Sequence, residues 1–299
     1  MNPSGAPDRV MRGRRESSVS TLRVASYNIR HGVGSDGRLD LPRTAAAIAA
    51  LGADVIGLQE VDDTFAERSA YEDQAARLAQ MLGLQVCFAA TIDLPAAAGR
   101  ERRRRYGLAL LSRYEIVGHE LHPLPGHPAH PAPRESRSVL RARLVPPGWP
   151  PLDVLVTHLD NESHEHRLAQ ILPIVRCADE LDGPAVLLGD MNADPRAPER
   201  APLAAAGWRD AATESGARAG SRRRGAPRSV SPLIRALPLP PSTPATFPAR
   251  RPLRRLDSIW LLGALRGGEL DVARTRASDH RPVVATIHRL GGEDAAPTG

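Results

Sequence analysis

The 299-residue chain contains no lysine: all 40 basic residues are arginine, and against 34 acidic residues they leave a net charge of +6. Part of the arginine excess is coding bias, because it runs through Ala- and Pro-rich stretches with no evident chemistry. A guanidinium fork nevertheless holds phosphate at two points, so the balance suits an anionic substrate. Aromatic residues make up only 3%, too few for the stacking platforms on which single-stranded nucleic acids are held. The two cysteines, Cys87 and Cys177, exclude a disulfide framework and a zinc-ligand spacing. No apolar run reaches the roughly 18 residues of a membrane helix. The N-terminus, MNPSGAPDRVMRGRRESSVS, has no apolar core of a signal peptide. A soluble, cytoplasmic monomer is therefore expected.

What is present is an ordinary globular balance, 41% hydrophobic and 25% charged, in a chain long enough for one large α/β domain or two small ones. Residues 1–20 and 291–299 are expected to be disordered tails around a domain at 21–290. A Gly-, Pro-, Ser- and Arg-rich stretch at 213–245 is expected to be a flexible insertion. Strands are expected at 21–29, 53–60, 84–91, 106–112, 115–121, 137–145, 152–159 and 184–192, with RLDSIWLLG and RPVVATIHR as the last two. Helices are expected at 41–52 and 71–83. Another starts after Ser163, with Leu168, Ile171, Leu172 and Val175 on its apolar face and a kink at Pro173. HPLPGHPAHPAPRES at 122–136 reads as a solvated loop. Several strands follow one another without a helix, which excludes a purely doubly wound sheet. Two sheets with helices on both outer faces fit better.

Strand after strand is apolar along its length and ends on a polar group. Asn28 closes VASYN, Glu60 closes VIGLQE, His158 closes LDVLVTH, and Asp190 and Asn192 close AVLLGDMN; Asp257 precedes SIWLL, and Asp279 and His280 precede PVVATI. Each alone reads as a turn cap. Together they would bury several carboxylates, which is costly without a cation. Oxygen donors without cysteine point to Mg²⁺ or Mn²⁺. Asp190 and Asn192, two residues apart, reach the same side if the strand continues. The imidazoles can donate protons to a phosphate, with Asp257 as the carboxylate that orients His280. The residue types add up to metal-assisted attack of water on phosphorus.

In order along the chain, VASYNIRHG, DVIGLQEV, YGLALLSRY, RSVLRARL, VLVTHLD, LLGDMNADP, RRLDSIWL and SDHRPV resemble the motifs of the DNase I-like endonuclease/exonuclease/phosphatase superfamily, over roughly residues 21–289. The resemblance implies a four-layer α/β sandwich. It implies metal-site residues Asn28, Glu60 and Asp279, a water-orienting Asp190 with Asn192 beside it on the phosphate, and paired imidazoles His158 and His280 with Asp257 behind the latter. It places Tyr106 and Arg137 on the substrate side. The THLD stretch is similar to the DNase I, sphingomyelinase and inositol-phosphatase branches, and the whole order to small bacterial hydrolases of the superfamily. Two departures stand out: Ser258 where an aromatic is common, expected to loosen packing behind Asp257, and Leu108 where an Asn often follows the glycine.

The expected activity is metal-dependent hydrolysis of a phosphomonoester or phosphodiester. Nucleic acid, a lipid head group and a small phosphoester all stay open as substrates, and an idle binding module on the same fold is the contrasting class. The arginine runs at 100–106 and 249–255 abut Tyr106 and Asp257, within reach of a substrate; a third lies at 221–228.

Overall fold

Strand alternation decides the architecture. A computed structural model describes residues 21–131, 135–219 and 245–290. The expected tails and most of the expected insertion lie outside the described residues. The insertion's first residues, 213–219, instead belong to helix α5 (Ala211–Ala219). One six-stranded sheet runs in the order β11 (Leu265–Val272), β12 (Val283–Arg289), β1 (Thr21–Asn28), β2 (Val55–Asp63), β4 (Arg104–Ser112), β3 (Gln85–Leu94). The other runs β5 (Ile116–Leu124), β6 (Arg137–Leu144), β7 (Leu152–His158), β8 (Ala185–Asp190), β10 (Asp257–Leu262), β9 (Arg209–Asp210). Both sheets are mixed: β1 and β2 pair parallel, as do β7 and β8, among antiparallel neighbours.

Every second residue of these strands faces the opposite sheet. Val24, Val154, Val156, Val186, Leu188, Ile259, Leu261, Val283 and Ala285 build that central core. The alternate set faces outward. Tyr27, Ile56, Leu58 and Leu111 pack under α1 (Leu41–Ala49) and α2 (Gln74–Leu82). Leu155, Leu187 and Trp260 pack under α3 (His164–Asp179) and α4 (Ala201–Ala205). The result is the four-layer α/β sandwich. Gly57 lets the two sheets close: a Cβ there would lie 3.0 Å from both Leu188 Cβ and Val156 Cγ2.

Several expected elements differ in detail. Helix α2 begins later than residue 71 because Tyr71 adopts φ +55°. Helix α3 begins after Ser163, whose hydroxyl accepts the His166 N–H at 3.1 Å, and continues across Pro173. Its buried face is His166, Gln170, Ile171 and Ile174, whereas Leu168 and Leu172 are exposed. Two polar residues turn the helix: His166 Nδ1 accepts the His127 N–H and Gln170 Oε1 accepts the Asp160 N–H. Strand β11 was not expected at all; its Gly267–Gly268 pair and polar residues conceal it, and a bulge lies between Gly267 and Leu270.

Candidate active site

The inner face of β1 continues from Val24 through Ser26 to Asn28, and that of β7 from Val156 to His158. In β8 it continues from Leu188 to Asp190, and in β10 it begins at Asp257. Parity thus delivers four polar side chains to one end of the inter-sheet core. Glu60 does not follow parity, because Ile56 and Leu58 face the helices. A register shift between Leu58 and Val61, with Glu60 at φ +56°, turns the carboxylate back toward the core. Gln59 takes the inner position and donates to Ser26 Oγ at 3.2 Å. Left-handed backbone at a non-glycine residue is uncommon and is sustained by surrounding contacts. Arg30 and His31 share it at φ +46° and +42°, and Asn192 at +47°.

Asn28 is the hub. Its fully buried amide nitrogen donates to Glu60 Oε1 at 2.8 Å and to Asp190 Oδ2 at 3.1 Å, while its Oδ1 accepts the Arg30 N–H at 3.0 Å. Asp190 Oδ2 lies 3.6 Å from Nε2 of both His158 and His280. His280 Nδ1 lies 3.0 Å from Asp257 Oδ2. The Phe247 ring covers His280, centroids 4.8 Å apart. Asn192 does not prolong β8: the chain turns at Met191, whose N–H donates to Leu256 O. Asn192 folds back so that its N–H donates to Asp190 Oδ1 and its amide to Leu159 O. It therefore fixes Asp190, and the expected same-side projection does not occur.

Asp279 sits at the rim, half-buried, with Oδ2 3.6 Å from Arg30 Nε. Tyr106 and Arg137 line a narrow cleft together with Glu60, Glu135 and His158. Arg137 Nη1 donates to Glu135 at 2.6 Å, and its buried Nε has no partner among the described residues.

Burial raises the pKa of Glu60, and the neighbouring Asp279 and Asp190 charges add to it against the Asn28 hydrogen bond and His280. Burial likewise raises Asp190. The two imidazoles diverge. Burial, with Arg137 and His280, lowers His158 well below its usual value. For His280 burial is outweighed by the Asp257 and Asp190 carboxylates, which raise it to about 10. The pair therefore holds one neutral and one charged ring near neutrality, an arrangement of separated acid–base roles. Burial raises the Tyr106 hydroxyl well above 10, with Glu60 and Glu135 contributing, so it remains a donor.

The residues fit a divalent cation. Ligand atoms of Asp190, Asp257 and His280 lie within 4.8 Å of one another, and the buried Asp257 Oδ1 has no hydrogen-bond partner among the described residues. Within that trio, however, His280 is already ion-paired with both carboxylates. Glu60 instead sits among Asp279 and Asp190 with raised pKa, the electrostatic condition a cation relieves.

The motifs did not single out His31, Arg68 and Phe247. His31 Nδ1 is 3.9 Å from Glu60 Oε2, and burial, helped by Arg68, lowers its pKa to about 4. Arg68, held by both Asp62 oxygens, lies 5.4 Å above the Tyr106 ring. His31 stands inside YNIRHG, three residues past Asn28; Phe247 and Arg68 carry no such signal. Ser258 does not loosen the packing behind Asp257: its hydroxyl accepts from the buried Arg200 at 2.8 Å and from Arg255 at 3.4 Å. Leu108 packs into the central core.

This sandwich, with carboxylates, amides and paired imidazoles at one end of its core, defines a hydrolase fold built for phosphate esters. The chain belongs to the Endonuclease/Exonuclease/phosphatase family, whose profile matches residues 25–280. It is similar to an endonuclease/exonuclease/phosphatase from Beutenbergia cavernae (26% identity, TM-score 0.68, 91% of this chain and 72% of that one). It shares its fold with the Bacteroides thetaiotaomicron mannosyl-6-phosphatase Bt3783 (19%, 0.63, 89% and 99%). It also shares it with the human Nocturnin catalytic domain holding a sulfate anion (20%, 0.59, 90% and 94%). Among curated proteins no sequence matches significantly. Among the described residues no helix is long and apolar enough to cross a membrane.

Proposed function

We propose that the protein is a Mg²⁺- or Mn²⁺-dependent phosphoesterase in which Asp190 and the His158–His280 pair handle the protons. The observation that carries this reading is the meeting of both imidazoles on one Asp190 oxygen, with opposite pKa directions. Glu60 and Asp279 would hold the cation, with Asn28 fixing Glu60; when bound, it supplies positive charge to the phosphate oxygens. Asp190, a stronger base than a surface carboxylate because it is buried, orients the attacking water and takes its proton. His280, charged and fixed by Asp257, donates a proton to the departing oxygen. Neutral His158 hydrogen-bonds the phosphate on the other flank without adding charge. Tyr106 and Arg137 border the substrate beside Glu60. The mannosyl-6-phosphatase fold relative and the sulfate held by another support phosphate as the group at the site.

The test is release of nitrophenol from bis(p-nitrophenyl) phosphate and p-nitrophenyl phosphate with Mg²⁺ and Mn²⁺. Turnover that EDTA abolishes is expected; absence of turnover with every divalent metal would leave a binding module. Nicking of supercoiled plasmid separates a nuclease from a small-ester hydrolase.

A further inference from the structure

The arginine runs near the site fall into two kinds. The run at 100–106 is committed within the fold. Arg100 covers the Tyr71 ring at 3.6 Å, Arg102 bridges Asp63 and Asp73 at 2.9 Å each, and Arg103 binds Asp93 at 2.7 Å. Arg104 donates to Pro95 O and Arg105 pairs with Asp63. The run at 249–255 divides. Arg254 pairs with Asp194 and Arg255 is buried on Asp210. Arg250 and Arg251 are exposed and have no ion-pair partner among the described residues, and the same holds for Arg276.

These three free guanidinium groups line one groove, of about 710 Å³, with Arg30, Ser35, Pro248, Ala249 and Asp279. Among the described residues Asp279 is the only acid that lines it. The walls are fixed: Ala249 N–H donates to Asp279 O at 2.6 Å, Arg281 Nε to Ala249 O at 2.8 Å, and Ser35 N–H to Arg276 O at 3.0 Å. The groove also adjoins the reaction centre, since Phe247, one residue before the Pro248 wall, covers His280. Such a concentration of unpaired guanidinium groups at the mouth of a phosphate site binds further anionic charge.

We infer that this groove seats a second phosphate of a multiply phosphorylated small substrate, on the Asp279–His280 side of the ester that is cleaved. The inference rests on the phosphoesterase reading. A threaded polynucleotide fits less well. It needs phosphate contacts on both flanks and rings to stack on. Among the described residues no aromatic lines the groove. The opposite flank, about 420 Å³, combines the apolar Ala90, Leu121, Pro123 and Leu124 with Ser136 and with Thr91 and Ser138, which hydrogen-bond each other; the one described guanidinium that lines it, Arg137, is already paired to Glu135.

The test compares metal-free protein binding to hexane-1,6-diyl bisphosphate and to hexyl phosphate by calorimetry, in wild type and in R250A/R251A/R276A. Wild type should prefer the bisphosphate by about tenfold or more. The variant, whose replaced side chains hold no ion-pair partner among the described residues, should lose that preference and retain hydrolysis of bis(p-nitrophenyl) phosphate. Equal binding of the two ligands in wild type, or an undiminished preference in the variant, overturns the inference. So does a variant that loses oligothymidylate cleavage while keeping the bisphosphate preference. A wild type that binds the bisphosphate preferentially but hydrolyses no ester keeps the groove and removes the phosphoesterase reading.

Discussion

His158 and His280 reach the same oxygen, Asp190 Oδ2, each with Nε2 at 3.6 Å. They come from β7 of the parallel pair and from the loop before β12, in different sheets. Among the described residues only His280 of the pair has a carboxylate behind it, Asp257 at 3.0 Å. Their chemistry should differ accordingly. Replacing either with Ala, or Asp190 with Asn, should lower turnover of bis(p-nitrophenyl) phosphate by about 10²–10⁴-fold. If His280 protonates the departing oxygen, H280A should lose more on a phenyl ester than on a nitrophenyl ester, whose leaving group needs less help. Equal losses on both esters would remove His280 as the acid.

The His280 pKa also predicts how stability depends on pH. A group whose folded pKa is raised from 6.5 to about 10 stabilises fully below 6.5, and that contribution is lost as pH rises through 10. Denaturant titrations of the metal-free protein should show stability falling between pH 7 and 10.5. Asp257→Asn removes the largest favourable charge, so its stability should be lower near pH 7 and flatter over the same interval. On the acid side the sign reverses: His31, lowered to about 4, binds its proton more readily when unfolded, so stability falls as pH drops from 6.5 toward 4.

Asn28 predicts a metal dependence of stability. As the donor to both the half-buried Glu60 and the buried Asp190, it keeps two carboxylates apart. Asn28→Asp would place a third acceptor between them. An uncompensated buried charge costs about 3–5 kcal/mol, so N28D should melt well below wild type in EDTA. Saturating Mn²⁺ should raise its melting temperature by more than it raises that of wild type. An equal rise in both proteins would place the cation elsewhere.

Much of this site is legible as period-two strands that end in polar residues. Asn28, His158, Asp190 and Asp257 follow directly from the inward parity of Val24, Val156, Leu188 and Ile259. Glu60 is different. Its motif marks it, but its parity matches Ile56 and Leu58, and only the left-handed turn at the bulge brings it to Asn28. A bulge leaves no period in a sequence. The apolar face of α3 misled for the opposite reason: Leu168 and Leu172 have helical spacing, yet the backbone N–H groups of His127 and Asp160, accepted by His166 and Gln170, decide which side is buried. The two kinds of arginine could not be separated either, because pairing depends on carboxylates distant in sequence, such as Asp63 and Asp210.

Gly57 predicts a packing limit. Its Cβ would meet Leu188 and Val156 at 3.0 Å, across the inter-sheet core and on the same face as Asn28. Overpacking of this kind costs about 1–3 kcal/mol. Gly57→Val should therefore lower the denaturation midpoint by that amount. It should also lower turnover, by spreading β2 from β7 and β8 and lengthening the Glu60–Asn28–Asp190 contacts. Unchanged stability would show that the sheets separate freely here.

Ser258 predicts that a hydroxyl, not bulk, is required behind Asp257. Arg200 and Arg255, both buried, converge on Asp210 Oδ2 and on Ser258 Oγ. One carboxylate thus serves two guanidinium groups, and the hydroxyl is an acceptor they share on β10, while Arg200 also donates to Ala193 O. Burial lowers the Arg200 pKa to about 10 despite Asp210, which reports how little solvent reaches it. Ser258→Ala removes a hydrogen bond to a charged group and should cost about 1.5–3 kcal/mol. Ser258→Phe, which puts an aromatic ring at this position, should cost more, because it both removes the acceptor and displaces the guanidinium groups. Guanidinium denaturation of the two variants decides the matter: a Phe variant as stable as wild type would mean that the arginines find other acceptors and that the hydroxyl is dispensable.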